Sequence, residues 1–191
     1  MEFAYIGFNA NRTSARRQIA ISWQFPPPTW FKLNSDGSLL GNPGKAGGGG
    51  LIRNDKGEWL KGYARNVAFS TSVAAEVWAL RDGLRLCIAL KLPTVIIELD
   101  AKLIVDLLQK SDDPRNCIDA LVSDCKIELG NIPRVQINHC YREANKCANA
   151  LARRGAMLSQ DFVIFLDPST DVSLLWSLDF AGVAYDRFVA V

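Results

Sequence analysis

Between Val67 and Val73 the apolar pattern changes period, and that change decides what the chain can fold into. Before it, Trp30 to Asp36, Leu51 to Arg53 and Glu58 to Val67 read as three strands joined by turn residues. Asn42-Pro43-Gly44 supplies the first turn, with proline fixing φ and glycine tolerating positive φ. Gly47 to Gly50 leads into the second strand, and Asn54-Asp55-Lys56-Gly57 makes a hairpin turn to the third. After it, Val73, Val77, Leu80, Leu84 and Ile88 recur at helical spacing, so a helix of about five turns is expected from Val73 to Ala89 or Leu90, stopped by Pro93. Val95 to Asp100 is a buried strand. Leu103 to Leu108 and Ile118 to Leu129 mark two helices, Arg134 to His139 alternates as a strand, and Ala144, Ala148, Leu151 and Ala152 stripe a last helix. The order βββαβααβα predicts a mixed α/β domain, an antiparallel three-stranded meander extended by parallel strands.

Composition narrows the class. The chain has 191 residues, room for one domain, and is 49% hydrophobic and 22% charged, values of a soluble globular protein. No apolar run reaches the ~18 residues of a membrane helix, so no membrane partner is expected. A net charge of +2 disfavours nucleic-acid binding by bulk charge and leaves only a local patch. The five cysteines are odd in number and form no C-x-x-C pair, which reads as structural thiols in a reducing compartment. Residues 1–28 are an N-terminal extension ending in Pro26-Pro27-Pro28, residues 29–158 the domain, and residues 159–191 a tail that either packs on the domain or docks a partner. Arg12, Arg16 and Arg17 leave an organelle transit peptide open, while nothing resembles a secretory signal. The expected location is intracellular, nucleus or cytoplasm.

Three acids stand out. Asp36 closes the first predicted strand and Asp100 the fourth. A helical crossover lets those strands lie parallel and adjacent, which brings both carboxylates to one edge. Glu76 sits in the first turn of the crossover helix among apolar neighbours, where an acid is costly without a cation. Converging carboxylates without a basic partner suit Mg²⁺ or Mn²⁺. The milder alternative is a turn residue, a helix-dipole acid and a helix cap, respectively. The glycine run is not a P-loop, because Leu39 and Ala46 stand where glycine and Ser or Thr are needed.

The blocks KLNSDGS, GNPGKAGGGGLIRNDKGEWL, AAEVWALRDGL, VIIELDAKLIVDLL and HCYREANKCANALAR resemble the type 1 ribonuclease H fold. They are most similar to plant ribonuclease H-like proteins and to the corresponding domain of non-LTR retrotransposon reverse transcriptases. The resemblance covers about Trp30 to Ala156 and extends to SQDFVIF in the tail. It implies a five-stranded ribonuclease H-like mixed sheet with helices on both faces, and an endonuclease that cleaves the RNA strand of RNA/DNA hybrids with two Mg²⁺ ions. By matching position, Asp36 is shared by both ions, Glu76 and Asp100 complete one ion's ligands, and His139 is a loop histidine that handles protons or product release.

One position departs from the pattern. The family's fourth carboxylate is an Asp four residues after an Asn; here Asn145 is followed by Asn149. An amide oxygen coordinates without charge, which forfeits about 4 kcal/mol at 4 Å and an effective dielectric near 20. The resemblance therefore implies either weakened cleavage or a catalytically impaired nucleic-acid-binding module of retroelement origin. On the substrate side, Gly37, Ser38, Gly41, Asn42, Ser72, Arg142 and Asn145 are the expected contacts with an RNA/DNA hybrid or double-stranded nucleic acid. Arg142, Lys146, Arg153 and Arg154 form a local basic face against Glu143, and no basic protrusion lies between Asp112 and Arg134. Integrases draw their last acid from a late helix Glu, and the early Glu76 disfavours them. A monomer is expected.

Overall fold

The structure is a computed structural model that describes residues 16–41, 44–109 and 117–190. In chain order its elements are β1 (Arg16–Ile21), β2 (Phe31–Gly41), β3 (Gly44–Arg53), β4 (Trp59–Ser70), α1 (Ser72–Ala89), β5 (Thr94–Leu99), α2 (Lys102–Gln109), α3 (Cys117–Gly130), β6 (Arg134–His139), a 3-10 turn (Arg142–Ala144), α4 (Lys146–Gly155), β7 (Phe162–Phe165), α5 (Thr170–Phe180) and β8 (Tyr185–Ala190). Thr71 caps α1, its hydroxyl accepting from the Ala74 amide at 3.3 Å.

The central sheet runs β6-β5-β2-β3-β4-β7. β2 and β5 are parallel with Ser35 opposite Leu99, and β5 and β6 are parallel with Leu99 opposite His139. The crossover expected from the sequence therefore exists, and the carboxyl ends of β2's parallel segment, β5 and β6 meet at one edge. The sheet has six strands among the described residues, not five. The extra strand is β7 from the tail, which pairs antiparallel with β4 through Tyr63–Ile164 and Ala64–Val163. Phe162 lies over Tyr63, with ring centres 6.1 Å apart, and β7 covers an edge that β4 would otherwise leave unpaired.

Two details of the meander differ from expectation. Asp36 does not end its strand. β2 continues to Gly41, because its hairpin with β3 outlasts its parallel pairing with β5. The glycine run lies inside β3 rather than before it. A methyl group on Gly47 or Gly49 would collide with the backbone of α4 at Ala152 and Ala156, and one on Gly48 would strike Ala79 of α1. Bare backbone thus lets a helix press on each face of the same strand. One apolar core joins the sheet to α1, α2 and α3 through Leu33, Leu80, Leu84, Ile97, Ile104 and Val122. A second joins it to α4 and α5 through Leu51, Cys147, Leu151 and Val172.

The tail packs on the domain. Arg53, only 1% exposed, donates to Asp179 of α5 at 2.8 Å and to Asn34 Oδ1 at 2.7 Å, and its guanidinium lies 3.7 Å from the centre of the Trp23 ring. β1 pairs with β8 from Arg16–Ala190 to Ile21–Tyr185, so the segments before and after the domain form a ribbon of their own. No helix among the described residues is long and apolar enough to cross a membrane. Cys87, Cys125 and Cys147 are buried free thiols, and burial pushes those of Cys87 and Cys125 up to about 12, which keeps them protonated and inert.

Candidate active site

Asp36 leaves β2 where the strand passes beneath α1 and beside α4. The strand there must be bare, since a side chain on Gly37 would run into the backbone at Glu76. That close approach lets the Gly37 amide donate to the Glu76 carboxylate. Asp100 follows the last residue of β5. One oxygen from each of Asp36, Glu76 and Asp100 lies within 4.8 Å of the other two. The three predicted acids are thus together, from a strand, a helix and the residue after a strand, far apart in sequence; α1 begins at Ser72, so Glu76 lies in its second turn and not, as expected, its first.

The cluster is electrostatically unfavourable by itself. Burial, then the neighbouring Asp100 charge, raises Asp36 from 3.8 to about 7. Burial, then Asp36 and Asp100, raises Glu76 from 4.5 to about 10. Asp36 Oδ1 and Glu76 Oε2 are buried without any hydrogen-bond partner. Buried acids kept apart from cations are rare, and orphaned carboxylate oxygens that converge are what a hard divalent ion needs. The residues present therefore fit a hard divalent cation, which Asp36, Glu76 and Asp100 would hold. Arg142 is the nearest cation, its Nε 3.7 Å from Asp100 Oδ2, but its side chain is 70% exposed.

Asn149, on the second turn of α4, reaches the same cluster. Its Nδ2 donates to Asp36 Oδ2 at 2.6 Å. In this orientation the side chain serves as a hydrogen-bond donor to a carboxylate, the opposite polarity to a metal-ligating acid. His139, exposed at the end of β6, lies beside the cluster: its Nε2 is 3.2 Å from the Asp100 backbone oxygen and its ring meets Tyr141 edge-on at 5.8 Å.

The expected substrate contacts divide. Gly41 (φ +95°) and Ser72 are exposed, Gly37 is half-buried beneath α1, and Ser38 is 8% exposed. Asn42 lies outside the described residues. Asn145 is a correction. It is 1% exposed and both ends of its amide are used internally, Nδ2 donating to the Ser35 carbonyl at 3.0 Å and Oδ1 accepting from Asn34 at 3.2 Å. It fixes the start of α4 against the strand that carries Asp36 instead of touching substrate. Around it lies a buried polar chain that sequence reasoning missed. Asn34 also donates to Glu98, Glu98 accepts from Lys32 at 2.5 Å, and the Trp23 indole donates to Asn34 Oδ1 at 3.0 Å. The available signal was the alternation Lys32, Asn34, Asp36, three polar residues on one face of a strand otherwise buried.

This fold, with acids gathered at the carboxyl ends of parallel strands, defines a ribonuclease H-like domain. Residues 34–155 match a family model described as reverse transcriptase-like, and the chain belongs to that family. It is 36% identical over 164 residues to an Arabidopsis thaliana protein named "putative ribonuclease H protein"; the match takes in 85% of this chain and 26% of that protein, so the chain spans about a quarter of its relative's length. Among solved structures, an RNase H1 isolated from compost is similar at a TM-score of 0.61 with 25% identity, covering 68% of this chain and 96% of its own. The same enzyme bound to an RNA/DNA hybrid aligns at 0.60, over 66% of this chain and 96% of its own. RNase H1 of Halobacterium salinarum, 22% identical, shares the fold at 0.61 over 66% of this chain and 96% of its own.

Proposed function

We propose that this chain hydrolyses the RNA strand of RNA/DNA hybrids with two divalent cations, Mg²⁺ or Mn²⁺, held by Asp36, Glu76, Asp100 and, without charge, Asn149. The observation that carries this reading is the trio of carboxylates within 4.8 Å, two of whose buried oxygens have no partner. The ribonuclease H-like fold and the hybrid complex of a relative support the choice of substrate. When bound, the cations supply an activated water and charge stabilisation at the leaving oxygen.

The chain's own groups do the rest. Asp36 and Glu76, raised first by burial and then by neighbouring acid charge, surrender the protons they hold as the site fills. Arg142, exposed at the surface, balances phosphate charge beside Asp100. His139 presents a ring nitrogen from which a proton can pass to a departing oxygen, with Tyr141 steadying its ring. Gly41 and Ser72, both exposed, let a sugar–phosphate chain approach closely.

A second reading is favoured by one contact. The amide of Asn149 donates to Asp36 Oδ2, occupying one oxygen of the central carboxylate, which suits a module that binds nucleic acid without cutting it. A labelled hybrid incubated with the protein and Mg²⁺ or Mn²⁺ separates the two. Cleavage above an Asp36→Asn control supports the nuclease. Binding without cleavage under either ion, with activity appearing in Asn149→Asp, supports the module.

A further inference from the structure

Beside the acids, α4, the 3-10 turn, α5 and β8 enclose an open groove of about 620 Å³. Arg142, Lys146, Arg153, Arg154 and Arg187 line it. Glu143 and Asp171 are its acids, so five cations against two carboxylates leave an excess of three positive charges. The two acids are engaged, Glu143 with Arg187 at 2.9 Å and Asp171 with Arg154 at 2.8 Å. Lys146 lies over the Tyr185 ring and Arg153 is exposed; neither has an anionic partner among the described residues. The floor is apolar, made of Ala150, Met157 and Leu175, with Met157 70% exposed.

The groove opens directly onto the carboxylate cluster. Asn149, which donates to Asp36, and Arg142, which faces Asp100, line both. Four of its eleven lining residues lie outside the family match, which ends at residue 155: Met157 just past α4, Asp171 and Leu175 on α5, and Arg187 on β8. β8 is held in place by β1, and α5 by the buried Arg53–Asp179 pair.

A basic rim attracts phosphates, and an exposed apolar floor offers a surface for the face of a base. A duplex cannot use such a floor, since its bases are stacked on one another and it shows only edges and backbone. We propose that this groove holds an unpaired stretch of nucleic acid running on from the strand at the acid cluster, so that the protein favours junctions where a hybrid meets a single strand. This deepens the nuclease reading by naming the form of substrate. Its test does not depend on cleavage.

Fluorescence anisotropy of the full chain in EDTA, where no cation supports cutting, would compare a blunt RNA/DNA hybrid with the same hybrid carrying a single-stranded overhang at each end in turn. One overhang position should bind about tenfold tighter than the blunt hybrid. Leu175→Glu and the more exposed Met157→Glu place a carboxylate on the floor; each should erase that preference and leave blunt-hybrid binding within about twofold. Circular dichroism checks that each variant folds, and Met157→Glu serves alone if Leu175→Glu does not. Equal binding of blunt and overhanging hybrids, no binding of either, retention of the preference in a folded Met157→Glu, or displacement of the overhang by poly-glutamate as readily as by single-stranded DNA would overturn the proposal. Overhang preference without cleavage in Mg²⁺ or Mn²⁺ keeps the groove and removes the nuclease. Cleavage without overhang preference does the reverse.

Discussion

Replacing Asp36 with asparagine should make the metal-free protein more stable at alkaline pH. Asp36 is 1% exposed, and burial with the Asp100 charge raises it from 3.8 to about 7. A group raised in the folded state favours folding while it holds its proton and loses that benefit as pH climbs through the folded value. At pH 8 the wild-type carboxylate is charged, and its shift corresponds to about 4 kcal/mol of penalty, at 1.36 kcal/mol for each pH unit. A Coulomb argument gives a similar size, since two charges 4.8 Å apart at an effective dielectric near 20 repel by about 3.5 kcal/mol. Asn149 now donates to the Asp36 carboxylate, and an asparagine oxygen replaces that acceptor with a weaker one, which offsets about 1 kcal/mol. The net gain should be about 2–3 kcal/mol, a rise in Tm of roughly 4–12 °C for a chain this long. Thermal unfolding by circular dichroism in EDTA at pH 8 and pH 4.5 measures it. At pH 4.5 the folded acid is protonated while the unfolded one, with its ordinary value of 3.8, is still mostly ionised, so the difference should shrink to about 1 kcal/mol, roughly 2–4 °C. An unchanged or lowered Tm at pH 8, or a difference of equal size at both pH values, would refute the account of this cluster as repelling acids.

Other outcomes follow from the same geometry. Mg²⁺ binding should release protons, because Asp36 and Glu76 must ionise; calorimetry in buffers of different ionisation enthalpy should count about one proton at pH 8–9 and approach two below pH 7, with affinity falling as pH falls. Asn149→Asp should lower apo stability by about 1–3 kcal/mol through a fourth like charge, and strengthen Mg²⁺ binding by about tenfold or more in the same titration. Asp179→Ala should cost about 3–5 kcal/mol in urea unfolding, since it leaves the Arg53 guanidinium buried and uncompensated, whereas joint replacement of the pair by apolar residues should cost far less.

The acid cluster was legible because topology alone brings Asp36 and Asp100 together once the crossover is recognised, and Glu76 announces itself as an acid among apolar residues. Helix α1 and strand β6 were legible because their periods are strong. Less was readable where a residue's role depends on what lies across from it. Four glycines look like a loop in isolation and become a strand only when two helices need its bare backbone. Asn145 reads as a polar surface residue, and only the register of α4 on β2 turns it inward. The basic residues of α4 were visible, but the groove was not, because its other wall comes from α5 and β8, whose placement depends on the remote partners Arg53 and β1.

That dependence bears on how the protein should be handled. Cutting the polypeptide down to the family-matched residues 34–155 would discard Asp179 and β8 while retaining Arg53 inside the sheet. The fragment would carry every acid of the cluster and still lack its counter-ion, so its failure to fold or to cut would say nothing about the chemistry of the intact chain. The smallest unit worth producing runs from β1 to β8, and activity measured on anything shorter reports on the missing buttress.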